Sequence, residues 1–239
     1  SYLGFNNFKG LYRPSLVFVL APLINLIRLQ GVVFLIINFF SANLVSIYSV
    51  SSTLIRSTSI FIHLISGPIN IEIAKLFSKL AFKQISNIIN IQISFYFWIS
   101  CFFYPLLFIF ADDFFYFWLN KENIFLIDYF ILLIVSNLFF LINSPYNSFI
   151  LSINLHINYI LISILIALIS LFIFFLLLSN EFMINPLYLV LIIDFLSYLV
   201  AIYFFNNIIK IDNILNSFNP FNLFKIYIII RNQLFKNNK

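Results

Sequence analysis

Apolar runs dominate this chain, and polar residues break them at intervals that suit helices crossing a lipid bilayer. A helix crosses a hydrocarbon core of about 30 Å with roughly 20 residues. Six stretches have that length: 15–40, 43–66, 88–110, 126–150, 157–179 and 187–205. Pro14 suits a first helical turn, and Pro22 is a candidate kink in the first stretch. Gly67-Pro68 is expected to close the second stretch, Pro145 interrupts the fourth, and Asn185-Pro186 opens the sixth. The pattern predicts an all-α integral membrane protein with about six transmembrane helices in one bundle, 15–205. A cytoplasmic lead-in segment, 1–14, is expected to enter it as a loop, and a basic cytoplasmic tail, 206–239, to leave it. In the tail Asn222, Lys225, Asn232 and Lys236 recur at helical spacing against Phe and Ile, which predicts an interfacial amphipathic helix over 221–235.

The polar positions inside these stretches carry the candidate chemistry. Arg28 and Arg56 each lie near the middle of a span. A central guanidinium costs about 2.5 to 3.5 kcal/mol on insertion scales, so a chain keeps one where it does a job. Arg28 is about a dozen residues from either end, about 18 Å of helix, which exceeds what its side chain can cover by reaching for the surface. Asn25 shares its face at i, i+3. In the second span Ser49, Ser52, Thr53, Arg56, Ser59 and His63 extend a stripe that starts at Ser46, all on one arc at about 100° per residue. Such a stripe must turn to a bundle interior or a water-filled cavity. Asp194 in the sixth span is the only acid at comparable depth and the candidate ion-pair partner for one arginine. The second arginine then leaves surplus positive charge, which suits an anionic substrate group, because guanidinium binds phosphate through two parallel hydrogen bonds. Ser, Thr and Asn groups nearby would meet sugar hydroxyls.

Composition supports the membrane class and removes others. Apolar residues make up 63% of 239 and charged residues 9%, with a mean hydropathy of +1.06. A water-soluble domain could not cover that with polar surface. The net charge of +5 sits in short blocks between apolar runs, so it marks topology and no nucleic-acid partner is expected. Lys9 and Arg13 precede the first span; Lys75, Lys79 and Lys83 lie between the second and third; Lys210, Lys225, Arg231, Lys236 and Lys239 follow the sixth. All fall on one side. By the positive-inside rule both termini are cytoplasmic, and Asp112, Asp113, Lys121, Glu122 and Glu181 lie in outward loops. Phe, Ile and Asn are over-used in a way that matches A+T-rich codons, so Asn137, Asn143 and Asn147 in the fourth span carry little weight. Gly is scarce and GxxxG packing motifs are absent, with Ser in their place. Cys101, His63 and His156 form no metal spacing, and no GxSxG, Walker or GxGxxG loop occurs. No catalytic residue, metal or cofactor is expected. Asp112-Asp113, beside Phe114, Phe115, Tyr116 and Trp118, fits an interfacial aromatic belt with acidic flanks.

The run QGVVFLIINFFSANLVSIYSVSSTLIRSTSIFIHLISGPINIEIAKLFSK, from Gln30 to Lys79, resembles the start of the second half of bacterial polysaccharide and O-antigen exporters. The resemblance rests on the small polar turn Ser41 to Asn43, on Tyr48 and Arg56 in the next helix, on Pro68, and on the basic amphipathic stretch Glu72 to Lys83. The Asn143-Ser144-Pro145 to Asn158 segment is similar to a later passage of the same half. The resemblance implies the multidrug, oligosaccharidyl-lipid and polysaccharide exporter superfamily, whose members rock two six-helix bundles and flip a polyprenyl-diphosphate-linked oligosaccharide to the outer leaflet. The implied setting is the bacterial cytoplasmic (inner) membrane, multi-pass, with Arg28 and Arg56 as cavity-lining cations. Alternating access needs a second bundle, so the chain is expected to be the second half of a longer exporter, lacking its first six-helix half, or to pair as a homodimer. A small-cation or drug exporter of the same superfamily and a membrane-embedded polysaccharide polymerase or glycosyltransferase stay open as alternatives.

Overall fold

The structure, a computed structural model, describes residues 5–119, 127–152, 156–182 and 184–208. Among them are seven helices and no strand: α1 Phe5–Phe39, α2 Ala42–Ser78, α3 Phe82–Ile109, α4 Ala111–Leu119, α5 Ile127–Ser152, α6 His156–Ser179 and α7 Leu187–Ile208. Five segments, in α1, α3, α5, α6 and α7, are long and apolar enough to cross a membrane by length and composition. The predicted tail helix over 221–235 lies outside the described residues.

Three sequence expectations need correction. α1 begins at Phe5, ahead of Pro14, so most of the lead-in segment is helical. α2 does not stop at Gly67-Pro68; its 37 residues run through Pro68 to Ser78. At about 1.5 Å per residue it is about 55 Å long, well over a hydrocarbon core of about 30 Å, and Pro68 lies at the start of its last third. There Ile69, Ile73 and Leu76 are buried against Ile85 and Ile89 of α3, and this packing holds the helix together across a residue that cannot donate a backbone hydrogen bond. Third, Asp112 and Asp113 belong to a short helix, α4, and not to a loop. Ala111 and Phe115 anchor α4 inward, whereas Phe117, 86% exposed, and Trp118 stay outside, as in an interfacial amphipathic helix.

The helix ends follow local rules with two departures. Asn185 Oδ1 accepts from the Leu187 N–H at 3.0 Å, with Pro186 between them, so an Asn cap and a Pro first-turn residue start α7. α2 and α6 end in left-handed residues, Leu80 at φ 56° and Glu181 at φ 62°. In each, paired backbone bonds close the end: Ala81 to Leu76 and Leu80 to Phe77, then Phe182 to Leu177 and Glu181 to Leu178. Glycine is the usual occupant of that position.

α5 is the central helix, packed most extensively on α7 and then on α2 and α3. α1 packs mainly on α6 and more lightly on α2 and α7. Gly31 lets α1 and α6 approach: a Cβ there would meet Leu171 Cδ1 at 3.1 Å. Gly31 is a close-approach point without a GxxxG repeat around it. The apolar core divides in two. One cluster, around Leu35, Ile36, Tyr48, Phe130 and Val190, lies toward the α1–α2 and α6–α7 turns. The other, around Ile73, Ile89, Tyr146, Phe149 and Phe205, lies toward the α2–α3 and α5–α6 turns. A polar belt separates them.

Candidate functional site

The belt is centred on Arg28, which is 4% exposed, and Asp194, 3% exposed. Arg28 Nη2 donates to Asp194 Oδ2 at 2.6 Å, and Nε lies 2.6 Å from Oδ1 as an ionic contact. Ser136 of α5 also donates to Asp194 Oδ2. The guanidinium carbon stands 4.4 Å from the centre of the Phe140 ring, a cation–π contact on one of its faces. Three helices thus meet at one carboxylate, and the net charge there is zero.

A second polar group lies beside the first. Asn137 Nδ2 donates to the Tyr104 hydroxyl at 2.8 Å and reaches Thr58 Oγ1 at 3.4 Å and the Ile55 carbonyl at 3.3 Å, tying α5 to α3 and α2. These bonds replace those of the amide nitrogen to water, whereas Asn137 Oδ1 is buried without a hydrogen-bond partner among the described residues.

Two spaces open from Arg28. A crevice of about 10 Å³, lined by Arg28, Tyr48, Ser52, Arg56, Ser136 and Asn137, separates the two arginines and has room for about one water. On the other side is a cavity of about 280 Å³, lined by Asn25, Arg28, Asn70, Asn143, Asp194 and Ser197 among others. Ser136, Phe140, Asn143 and Asn147 come from one face of α5 at i, i+4, i+7 and i+11. Asn is so frequent in this chain that Asn143 and Asn147 carry little weight in the sequence alone. Asn70 follows Gly67-Pro68, a pair that reads as a helix end, so the sequence gives no signal that it shares a helix with Arg56.

The stripe on α2 is placed differently from Arg28. Ser46, Ser49, Thr53 and Arg56 are exposed, Ser52 and Ser59 are half-buried, and the buried polar positions are Ser51 and Thr58 instead. The stripe therefore faces away from the bundle interior, because the apolar set Ile47, Val50, Leu54 and Ile55 takes the inner face. Its hydroxyls bond their own helix: Thr53 donates to the Ser49 carbonyl at 2.8 Å, Ser52 to the same carbonyl at 3.1 Å, and Ser59 to the Arg56 carbonyl at 2.6 Å. Arg56 makes no ion pair among the described residues. The His63 side chain lies outside what is described. The structure brings Arg28, Asn25 and Asp194 to one cavity, Arg56 and Ser52 to the adjoining crevice, and leaves Ser49 and Thr53 on the open face.

Apolar helices of spanning length around a buried ion pair define a multi-pass helical membrane protein. No protein-family model matches the chain, and no curated protein or solved structure matches it significantly.

Proposed function

We propose that this bundle is one lobe of a transporter that flips a polyprenyl-diphosphate-linked oligosaccharide across the bacterial cytoplasmic membrane. In this reading α2 crosses the membrane as well, which makes six spans, both termini are cytoplasmic, and the second lobe is supplied by another six-helix half or by a second copy. The observation that carries it is the exposed, unpaired Arg56 in the middle of the α2 stripe. Lipid is a poor neighbour for such a group, whereas a water-filled cleft between two lobes would hydrate it. There it would hold a diphosphate through paired charge-assisted hydrogen bonds. Arg28 has a different part: with its charge met by Asp194, it is a positioning residue behind the crevice. Asp194 is engaged by Arg28 and Ser136, so the acid that a cation exporter would need is already occupied.

The test is export of the lipid-linked glycan in a host whose surface polysaccharide depends on this chain. Arg56→Ala should abolish export while the protein remains inserted, and Arg56→Lys should keep part of it because a point charge replaces a planar fork. Full export by the alanine variant would sink the proposal.

A further inference from the structure

The two ends of the bundle carry opposite charge. Asp112, Asp113, Asp128 and Glu181 are exposed at the end where α3, α4 and α6 finish, whereas the α2–α3 turn at the other end presents exposed Lys75, Lys79 and Lys83. None of the three lysines makes an ion pair among the described residues, although Glu72 stands at i−3 from Lys75. Between Lys79 and Lys83 is Leu80, 70% exposed and at φ 56°, a backbone that a residue with a Cβ adopts only at a cost. The matching left-handed position at the opposite end holds Glu181, a side chain that water accepts. We infer that the α2–α3 turn docks the headgroup of an acidic phospholipid, the lysines meeting its phosphate and Leu80 anchoring the turn in the acyl chains beside it.

The exposure of Leu80 is built into a fixed turn. Its neighbours face inward: Phe77, Ala81 and Phe82 pack against the cluster that holds Ile73, Ile85 and Ile89, and the Phe77 and Phe82 rings meet edge to face at 6.1 Å. The Leu80 N–H donates to the Phe77 carbonyl at 2.9 Å and the Ala81 N–H to the Leu76 carbonyl at 3.0 Å. The face of α2 that leads into this turn changes character along its length. Ile71, 60% exposed, Lys75 and Lys79 follow one another at i, i+4 and i+8, so the apolar side chain lies about 6 Å nearer the centre of the bundle than the first lysine. Apolar inside and ammonium outside is the order of a helix leaving hydrocarbon for the headgroup layer, because a lysine lays its stem along apolar surface and lifts its charge to the interface. At that depth the available anion is a lipid headgroup, and an anionic bilayer surface attracts lysines beside it. An acidic partner in water would satisfy the lysines and leave Ile71 and Leu80 bare. The inference stands apart from the transport reading, since it concerns one end of the bundle and no moving substrate.

The experiment places the full chain in phosphatidylcholine vesicles and reads, by electron paramagnetic resonance, how much spin-labelled phosphatidylglycerol and spin-labelled phosphatidylcholine it immobilises. The parent should prefer phosphatidylglycerol, and the preference should weaken as salt is raised. Replacing Lys75, Lys79 and Lys83 together by Gln should lower the preference about fivefold, which is about 1 kcal/mol, the scale of one lysine at an anionic surface. Replacing the same three by Arg should keep it, which separates loss of charge from loss of fold. Leu80→Asn, which removes the apolar side chain and tolerates the left-handed backbone, should lower it about twofold. Equal immobilisation of the two lipids by the parent would overturn the inference and give the turn to water or to a partner protein. A preference unchanged in the Gln variant or in Leu80→Asn, or lost in the Arg variant, would overturn it as well.

Discussion

Arg28 on α1 and Asp194 on α7 are 166 residues apart in sequence and meet through two contacts of 2.6 Å. The pair joins the first and last described helices between two apolar clusters, where desolvation costs several kcal/mol per ion. Breaking it from one side leaves the other charge buried. Asp194→Ala should destabilise the protein by about 3 to 5 kcal/mol, whereas Arg28→Met combined with Asp194→Leu should recover most of that loss. Thermal unfolding of the purified variants decides it; an Asp194→Ala protein as stable as the parent would mean that Arg28 has another partner.

The two faces of α2 should differ in their access to water. With Cys101 replaced by Ser, Ser49→Cys and Thr53→Cys are expected to react with a membrane-impermeant maleimide, and Ser51→Cys and Thr58→Cys to stay unlabelled. The physical basis is the exposure of the first pair and the burial of the second. Uniformly unreactive cysteines at Ser49 and Thr53 would place the stripe against lipid or tightly packed protein and remove the aqueous cleft.

Leu80 holds a left-handed backbone at φ 56° at the end of α2. That conformation costs a residue with a Cβ about 1 to 2 kcal/mol, and Leu80 is 70% exposed, so little packing is lost with its side chain. Leu80→Gly should therefore raise the unfolding temperature, a gain where most substitutions lose. A lower unfolding temperature would show that the Leu80 side chain contributes more than its backbone costs.

Gly31 should accept Ala and reject Val. Its Cβ direction meets the tip of Leu171 at 3.1 Å, and the end of a flexible side chain can yield to one methyl. A branched side chain has to push α6 away, at about 1 to 3 kcal/mol. Unfolding temperatures in the order Gly31, Ala, Val would support this close approach, and a Val variant equal to the parent would contradict it.

Hydropathy alone determined that this is a helical membrane protein, because backbone groups in hydrocarbon have to be satisfied within each helix. The start of α7 at Asn185-Pro186 was equally legible, since a cap and a first-turn proline act within a few residues of chain. The length of α2 was not. Whether a helix survives Gly67-Pro68 depends on what packs beside it, and Ile85 and Ile89 lie in another helix. The periodicity of Ser49, Thr53 and Arg56 showed that they share a face but not where that face points, and the apolar residues of the opposite side turned it outward. Asp194 could be named as a partner because acids at depth are rare, whereas the choice of Arg28 over Arg56 was made by the packing of α1 and α7. Asn70, Asn143 and Ser197 come to line one cavity only through the packing of three helices. Each amide was locally unremarkable in a chain rich in Asn, and proximity between residues far apart in sequence is a property of the assembled bundle.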